Sequence, residues 1–161
     1  AGLGWSDESN IMIWGWSFGG FLTLKTSTDP SYFGKDATKT PFRAAISVAP
    51  VTKWSYYNSA YTERFMQTPE LNKDGYQQTS IVDNIETSTF NGTNFLLNHG
   101  TADDNVHPLN TWNLVTKLQE NEVQFDLMAY PNKDHSIAGS HTQRFLYRKL
   151  SQHFINSVES S

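Results

Sequence analysis

Cysteine is absent from the 161 residues, which excludes disulfides, thiolate nucleophiles and cysteine metal ligands. That absence says nothing about compartment, because secreted chains need not contain cysteine. Charge is sparse too: charged residues make up 17% of the chain, the net charge is -4, and no basic or acidic run occurs. A nucleic-acid binder would carry a positive stripe, so that class is excluded. No run approaches the roughly eighteen apolar residues of a membrane-spanning helix. The opening residues, AGLGWSDESN, have neither the basic nor the apolar part of a signal peptide. Three ligand motifs are missing as well: the dinucleotide pattern G-x-G-x-x-G, the phosphate loop G-x-x-x-x-G-K-[ST] and the zinc pattern H-E-x-x-H. There is no internal repeat and no low-complexity tract.

Aromatic residues, by contrast, are plentiful, with five Trp, seven Tyr and ten Phe. Rings at this density build a core and also line pockets for apolar ligands. The patterning alternates strands with helices. Strands are expected at Ile11–Trp14, Ala44–Val48, Phe95–Leu97 and Phe125–Ala129, ended in turn by Gly15, Pro50, Gly100 and Pro131. A helix is expected from Phe18 to Lys25, closed by Asp29 and Pro30. A second would place Leu109, Trp112, Val115 and Leu118 on one face. A last amphipathic helix would repeat Leu146, Leu150, Phe154 and Val158. Such alternation argues for an α/β fold with a mainly parallel sheet. The stretch from Val51 to Thr89 is polar and aromatic, and should form short helices and loops over the strand ends, where ligands bind in such folds. Four strands alone leave exposed sheet edges, so the chain is expected to be one piece of a larger protein.

Gly15-Trp16-Ser17-Phe18-Gly19 matches G-x-S-x-G between an expected strand and an expected helix. In that context the turn is a nucleophile elbow: glycines remove side chains that would collide, and the serine hydroxyl stands at the tip. Backbone N–H groups of the helix start, that of Phe18 first, face the place where an oxyanion would form. In hydrolases built this way the acid and then the histidine follow the serine along the chain, each after a later strand. Asp103 and Asp104 follow the third strand and His135 follows the fourth. Loop position does not choose between the two aspartates. It favours His135 over His99, His107, His141 and His153, which fall at strand ends or beside helices. Neutral imidazole would take the serine proton, and the carboxylate would hold its tautomer. His99, Asp103, Asp104 and His107 also lie close enough in sequence to hold a divalent cation, but no second run of ligands accompanies them. No metal and no cofactor is expected.

Four strings together resemble the dipeptidyl peptidase IV-like branch of the prolyl oligopeptidase family: GWSFGG at 15–20, VAPVTKWSYYNSAYTERFM at 48–66, HGTADDNVH at 99–107 and KDHSIAG at 133–139. The resemblance runs through nearly all of the chain and implies the C-terminal part of an α/β-hydrolase catalytic domain, spanning residues 1–161. It implies Ser17 as nucleophile, His135 as base and the first aspartate, Asp103, as acid. It implies a proline-accepting pocket lined by Phe18, Val51, Trp54, Tyr57, Tyr61 and Val106, with Asn105 and Arg64 as polar groups holding substrate or pocket. Family members commonly have Tyr where this chain has Phe18. Trp54, Tyr57 and Tyr61 are spaced nearly as on a helix, and spacing alone fits core packing as well as a pocket.

The implied reaction is release of X-Pro or X-Ala dipeptides from polypeptide N-termini, with acylaminoacyl peptidase or prolyl endopeptidase activity as alternatives. The implied partners are peptide substrates, the remainder of the parent polypeptide and a second copy of the full-length protein. In the family the last helix helps pair subunits, so Leu146, Leu150 and Phe154 could present a face to a partner, and a purely non-catalytic pairing segment is a further alternative. The family's N-terminal β-propeller, which supplies paired glutamates for the substrate's amino end, and its upstream oxyanion tyrosine are not within these residues. The resemblance implies a secreted protein, or one anchored in a membrane or held in a vacuole through a segment outside this chain. Asn91 heads the sequon Asn91-Gly92-Thr93, a glycosylation acceptor if the chain is secreted.

Overall fold

The computed structural model describes residues 7–33, 40–85 and 93–159. Four strands form one sheet, in the order β1 (Met12–Trp16), β2 (Ala44–Val48), β3 (Asn94–Gly100) and β4 (Asp126–Tyr130). Every neighbouring pair is parallel. The strands extend past the short apolar runs seen in sequence: β1 carries on through Gly15 and Trp16, and β3 takes in His99 and Gly100. Among the described residues five α-helices accompany them: α1 (Phe18–Thr28), α2 (Ser59–Met66), α3 (Lys73–Thr79), α4 (Leu109–Glu120) and α5 (Ser140–Glu159).

Side chains alternate across the sheet, so each strand feeds two cores. Ala45, Phe95 and Leu97 face Phe21 and Leu24 of α1 and Leu114 and Leu118 of α4. Ile46, Val48 and Leu96 face Leu146 and Leu150 of α5 on the other side. β2 is buried along its whole length, as a central parallel strand must be. α1 and α4 lie on the same face because right-handed crossovers between strands added in one direction put their helices there. α5 follows the last strand, needs no crossover, and closes the opposite face.

Two helical faces differ from the sequence expectation. Steps of three residues drift backward by about 60° per step on a helix of 3.6 residues per turn. Leu109 and Trp112 are therefore exposed, while Asn110, Thr111, Leu114 and Leu118 point inward. In α5, unbroken steps of four drift the other way. The inward residues are Leu146, Leu150, His153 and Ser157, and Val158 is exposed. Leu146 and Leu150 are used up against the sheet and are not free to meet a partner; α5 presents Phe145, Tyr147 and Ile155 outward instead.

The segment after β2 runs across the C-terminal end of the sheet, as its polar aromatic composition suggests. Asn110 anchors it: its Oδ1 accepts from the Thr52 N–H at 2.9 Å and its carbonyl accepts from the Thr52 hydroxyl at 2.8 Å. The Asn58 side chain then caps α2 by accepting from the Tyr61 N–H. Asn91, the sequon residue, lies outside the described residues.

Candidate active site

β1 ends at Trp16, and the chain reverses into α1 through Ser17, whose φ of 58° and ψ of -118° are unfavourable for any residue with a Cβ. The reversal brings strand and helix so close that a Cβ on Gly15 would lie 2.1 Å from the Gly19 carbonyl oxygen. A Cβ on Gly20 would meet the Ser47 hydroxyl at 2.9 Å and the Val48 carbonyl at 3.0 Å. Gly19 differs from the sequence expectation: a Cβ there meets nothing within 4 Å, so no collision requires glycine at that position. The Ser17 N–H donates to the Val48 carbonyl at 2.8 Å, which ties the elbow to β2. Phe18 is the first residue of α1, so its N–H has no acceptor within the helix.

The loops after β3 and β4 are stitched together at the same end of the sheet. Thr101 donates its N–H to the Tyr130 carbonyl and Ala102 donates to the Lys133 carbonyl, both at 3.0 Å. The approach is so tight at Gly100 that a Cβ would sit 2.3 Å from the Lys133 carbonyl oxygen and 2.6 Å from that of Asp134. Gly100→Ala is therefore expected to push the two loops apart and to destabilise the protein by about 1–3 kcal/mol. Thermal melting checks this, and an unchanged transition would contradict the packing described.

Asp103 is fully buried in side chain, and both its oxygens are engaged. Oδ1 accepts from the backbone N–H groups of Asn105 at 3.0 Å and Val106 at 2.9 Å. Oδ2 accepts from His135 Nδ1 at 2.7 Å and faces His99 Nε2 at 3.2 Å. Burial alone pushes this carboxyl's pKa up. The hydrogen bonds from His135 and His99, the charge of His135 and the Asn105 N–H outweigh it and hold the group well below the ordinary carboxylate range. An ionised carboxylate can only accept, so the His135 Nδ1 carries the hydrogen and its Nε2 lone pair is left for another proton. The neighbouring Asp104 is exposed. Between the two aspartates, the one in contact with His135 is Asp103.

Ser17 is half-buried, and among the described residues no hydrogen bond joins it to His135. The link lies one residue upstream: the Trp16 indole Nε1–H donates to the His135 carbonyl at 2.9 Å, across 119 positions of sequence. This bond was not legible beforehand, because nothing in a tryptophan within an elbow motif says where its indole will point. His99 was missed as well. Its place four residues before Asp103 was visible, but its burial inside β3 was not. His107 Nδ1 accepts from the Leu109 N–H at 3.1 Å. Among the described residues no three His, Cys, Asp or Glu side chains are arranged to hold a metal.

Beside the elbow lies a cluster of rings. Phe18 is 5.8 Å from Trp54, Trp54 stacks on Tyr61 at 6.1 Å, and Tyr57 stands edge-on to Tyr61 at 5.5 Å, all between centroids. Trp54 is in the core, whereas Phe18 and Tyr61 are exposed at 47% and 41%. The cluster thus serves core and surface together. Val51 and Val106 are buried in the same core and back the rings, with no surface of their own facing solvent. The Tyr57 hydroxyl donates to Asn105 Oδ1 at 2.7 Å and so connects the rings to the Asp103 loop. Arg64 is exposed on α2, its guanidinium 5.6 Å from the centre of the Phe65 ring, which in turn contacts Tyr61.

A family model described as the prolyl oligopeptidase family matches residues 1–160. The chain is 45% identical over 152 residues to the probable dipeptidyl-aminopeptidase B of Emericella nidulans, covering 94% of this chain and 16% of that protein. It is 47% identical over 152 residues to the dipeptidyl-aminopeptidase B of Aspergillus niger, with the same coverage. The crystal structure of Porphyromonas gingivalis dipeptidyl peptidase 4 superposes with a TM-score of 0.84 at 39% identity, over 96% of this chain and 20% of that one. The chain thus spans about a sixth of the length of the fungal relatives.

Proposed function

The chain belongs to the prolyl oligopeptidase family, and from that premise we propose that it carries the catalytic triad of a serine peptidase that removes dipeptides ending in Pro or Ala from polypeptide N-termini. The observation that carries this reading is the hydrogen bond between a buried carboxylate and His135 Nδ1 at 2.7 Å, made beside a strained serine elbow. Ser17 is the nucleophile, His135 the base that takes its proton and returns it to the leaving amine, and Asp103 the group that stabilises the imidazolium in between. The Phe18 N–H is one oxyanion donor. Ser17 Oγ adds to the scissile carbonyl carbon to give a tetrahedral oxyanion, which collapses as the bond to the leaving nitrogen breaks and His135 protonates that nitrogen. Water, deprotonated by His135, then adds to the acyl carbon and Ser17 leaves with its proton restored.

Phe18, Trp54, Tyr57 and Tyr61 provide the surface for a compact apolar residue at the scissile bond. Burying a pyrrolidine ring there contributes roughly 1–3 kcal/mol. Asn105 touches both acid and rings: its N–H donates to Asp103 Oδ1 and its own Oδ1 accepts from the Tyr57 hydroxyl. Recognition of the substrate's free amino end is assigned to parts of the parent polypeptide outside this chain, and turnover is assigned to the complete parent. We propose that residues 1–161 are the C-terminal part of its hydrolase domain.

A fluorophosphonate probe applied to the full parent polypeptide is expected to modify Ser17 alone, identified by peptide mapping. Modification of another serine, or of none, refutes the assignment. The substrate class is tested with X-Pro peptides bearing a free or an acetylated amino end. Turnover of the free form only is expected; equal turnover of both would favour an endopeptidase or acylaminoacyl peptidase.

A further inference from the structure

His99 is a fully buried imidazole that the mechanism above does not use. It sits on the second-to-last residue of β3, with no solvent on either ring nitrogen, so both nitrogens must be satisfied within the protein. Nδ1 lies 2.6 Å from the Thr111 hydroxyl of α4. Nε2 makes its hydrogen bond to the Val106 carbonyl oxygen at 2.9 Å and also lies 3.2 Å from Asp103 Oδ2, so its single hydrogen is shared between the two, with the carbonyl the nearer. The latter two atoms only accept, so the ring hydrogen belongs on Nε2 and Nδ1 takes the hydrogen of the Thr111 hydroxyl. The other tautomer would turn a lone pair toward a carbonyl and a carboxylate. Thr111 is itself fully buried, and His99 is its side-chain partner.

Two imidazoles thus hold one carboxylate oxygen from two sides, one of them the base and one of them shut in the core. We propose that His99 is a positioning residue of the active site: a neutral imidazole, held in one tautomer by Thr111, whose Nε2–H fixes the Asp103 carboxylate in the orientation that His135 requires. This rests on the assignment of Asp103 and His135 to the triad. Without His99, Oδ2 keeps only the His135 hydrogen bond among the described residues while Oδ1 stays held by the Asn105 and Val106 N–H groups, so the carboxylate keeps its place but loses the second contact that sets its tilt about the Cβ–Cγ bond. His99 also ties the acid to the Val106 carbonyl, so one ring joins β3, α4 and the acid loop. The charged and titratable groups facing it are the Asp103 carboxylate and, beyond it, His135. The surrounding contacts are otherwise neutral: Thr111 from α4 and the Val106 carbonyl.

The test uses the full parent polypeptide with His99→Phe, His99→Gln and Thr111→Val. Phe keeps the ring volume and removes both nitrogens. Gln keeps an N–H donor near the Nε2 position and loses the contact to Thr111. Val keeps the shape of Thr111 and releases the tautomer. His99→Phe is expected to lower kcat by about 100-fold, the scale on which a small misplacement of a catalytic group acts, with KM within twofold. His99→Gln should recover most of that loss and Thr111→Val should lose about tenfold, both melting as cooperatively as the wild type. A purely structural histidine would shift the melting temperature and leave kcat and its pH profile unchanged in every variant that folds. That result, or equal kcat for Phe and Gln, overturns the proposal. Should His99→Phe not fold, the kcat of Gln and Thr111→Val decides: wild-type values in both overturn it, and a loss in Thr111→Val with Gln near wild type sustains it. Wild-type protein that fluorophosphonate does not label at Ser17 would instead overturn the triad assignment and this inference with it.

Discussion

Replacing Ser17 with Ala is expected to lower kcat by about 10⁶-fold, the scale seen when a nucleophile acting in concert with its base is removed. The melting temperature should barely move, because alanine keeps the Cβ and with it the same conflict at a φ of 58°. Ser17→Gly separates chemistry from strain. It should be equally inactive, yet more stable than the alanine variant, since a non-glycine residue in such a backbone region costs roughly 1–3 kcal/mol. Part of that gain is offset by the greater freedom of glycine in the unfolded chain. Steady-state kinetics and thermal melts on the two variants decide the matter. Turnover by either one within tenfold of wild type would remove Ser17 from the mechanism. Equal melting temperatures would mean that the strain stored in the elbow is no larger than the roughly 0.5–1 kcal/mol that glycine costs in unfolded-chain entropy.

Asp103→Asn is expected to cost about 10⁴-fold in kcat, because a neutral amide no longer fixes the imidazole tautomer or stabilises the imidazolium. It also carries a pH signature. The folded carboxyl ionises well below its ordinary 3.8, so proton binding favours the unfolded chain. The stabilisation from ionised Asp103 is fully present above roughly pH 5 and is lost as the pH falls toward and through the lowered folded value. The wild type should therefore melt several degrees above Asp103→Asn at pH 7, and the gap should close as the solution is acidified below about pH 4. A gap in melting temperature that does not change with pH would sink this account of the carboxylate.

Much of the fold was readable because each element carries its own local signal. Ala44–Val48 is an unbroken apolar run ended by Pro50, and it becomes the central strand. The elbow stood out because strand, tight turn and helix follow one another within a few residues. What could not be read depends on direction. Loop position left two adjacent aspartates after β3 alike and only the family resemblance favoured Asp103; the turn that aims Asp103 at His135 and Asp104 at solvent supplies the physical difference. The inward face of α4 was misjudged because its buried residues include Asn110 and Thr111, polar side chains whose partners, Thr52 and His99, come from other elements. The pocket aromatics were ambiguous for a related reason: Trp54 packs inward while Tyr61, seven positions later, lies open. Local pattern reveals which residues are apolar, and long-range pairing decides which polar ones join them.

Ser17 leaves the sheet from β1 and His135 from β4, the two strands farthest apart in the order. With strands about 4.8 Å apart, roughly 14 Å of sheet lies between those points of departure. Parallel strands rotate by about 20–25° from one to the next, so the angle accumulated across β2 and β3 sets how the two loops converge. Alignment of serine and imidazole is accordingly a property of sheet curvature as much as of either loop. A substitution under β2 that flattens the sheet by a few degrees would misalign them while touching neither.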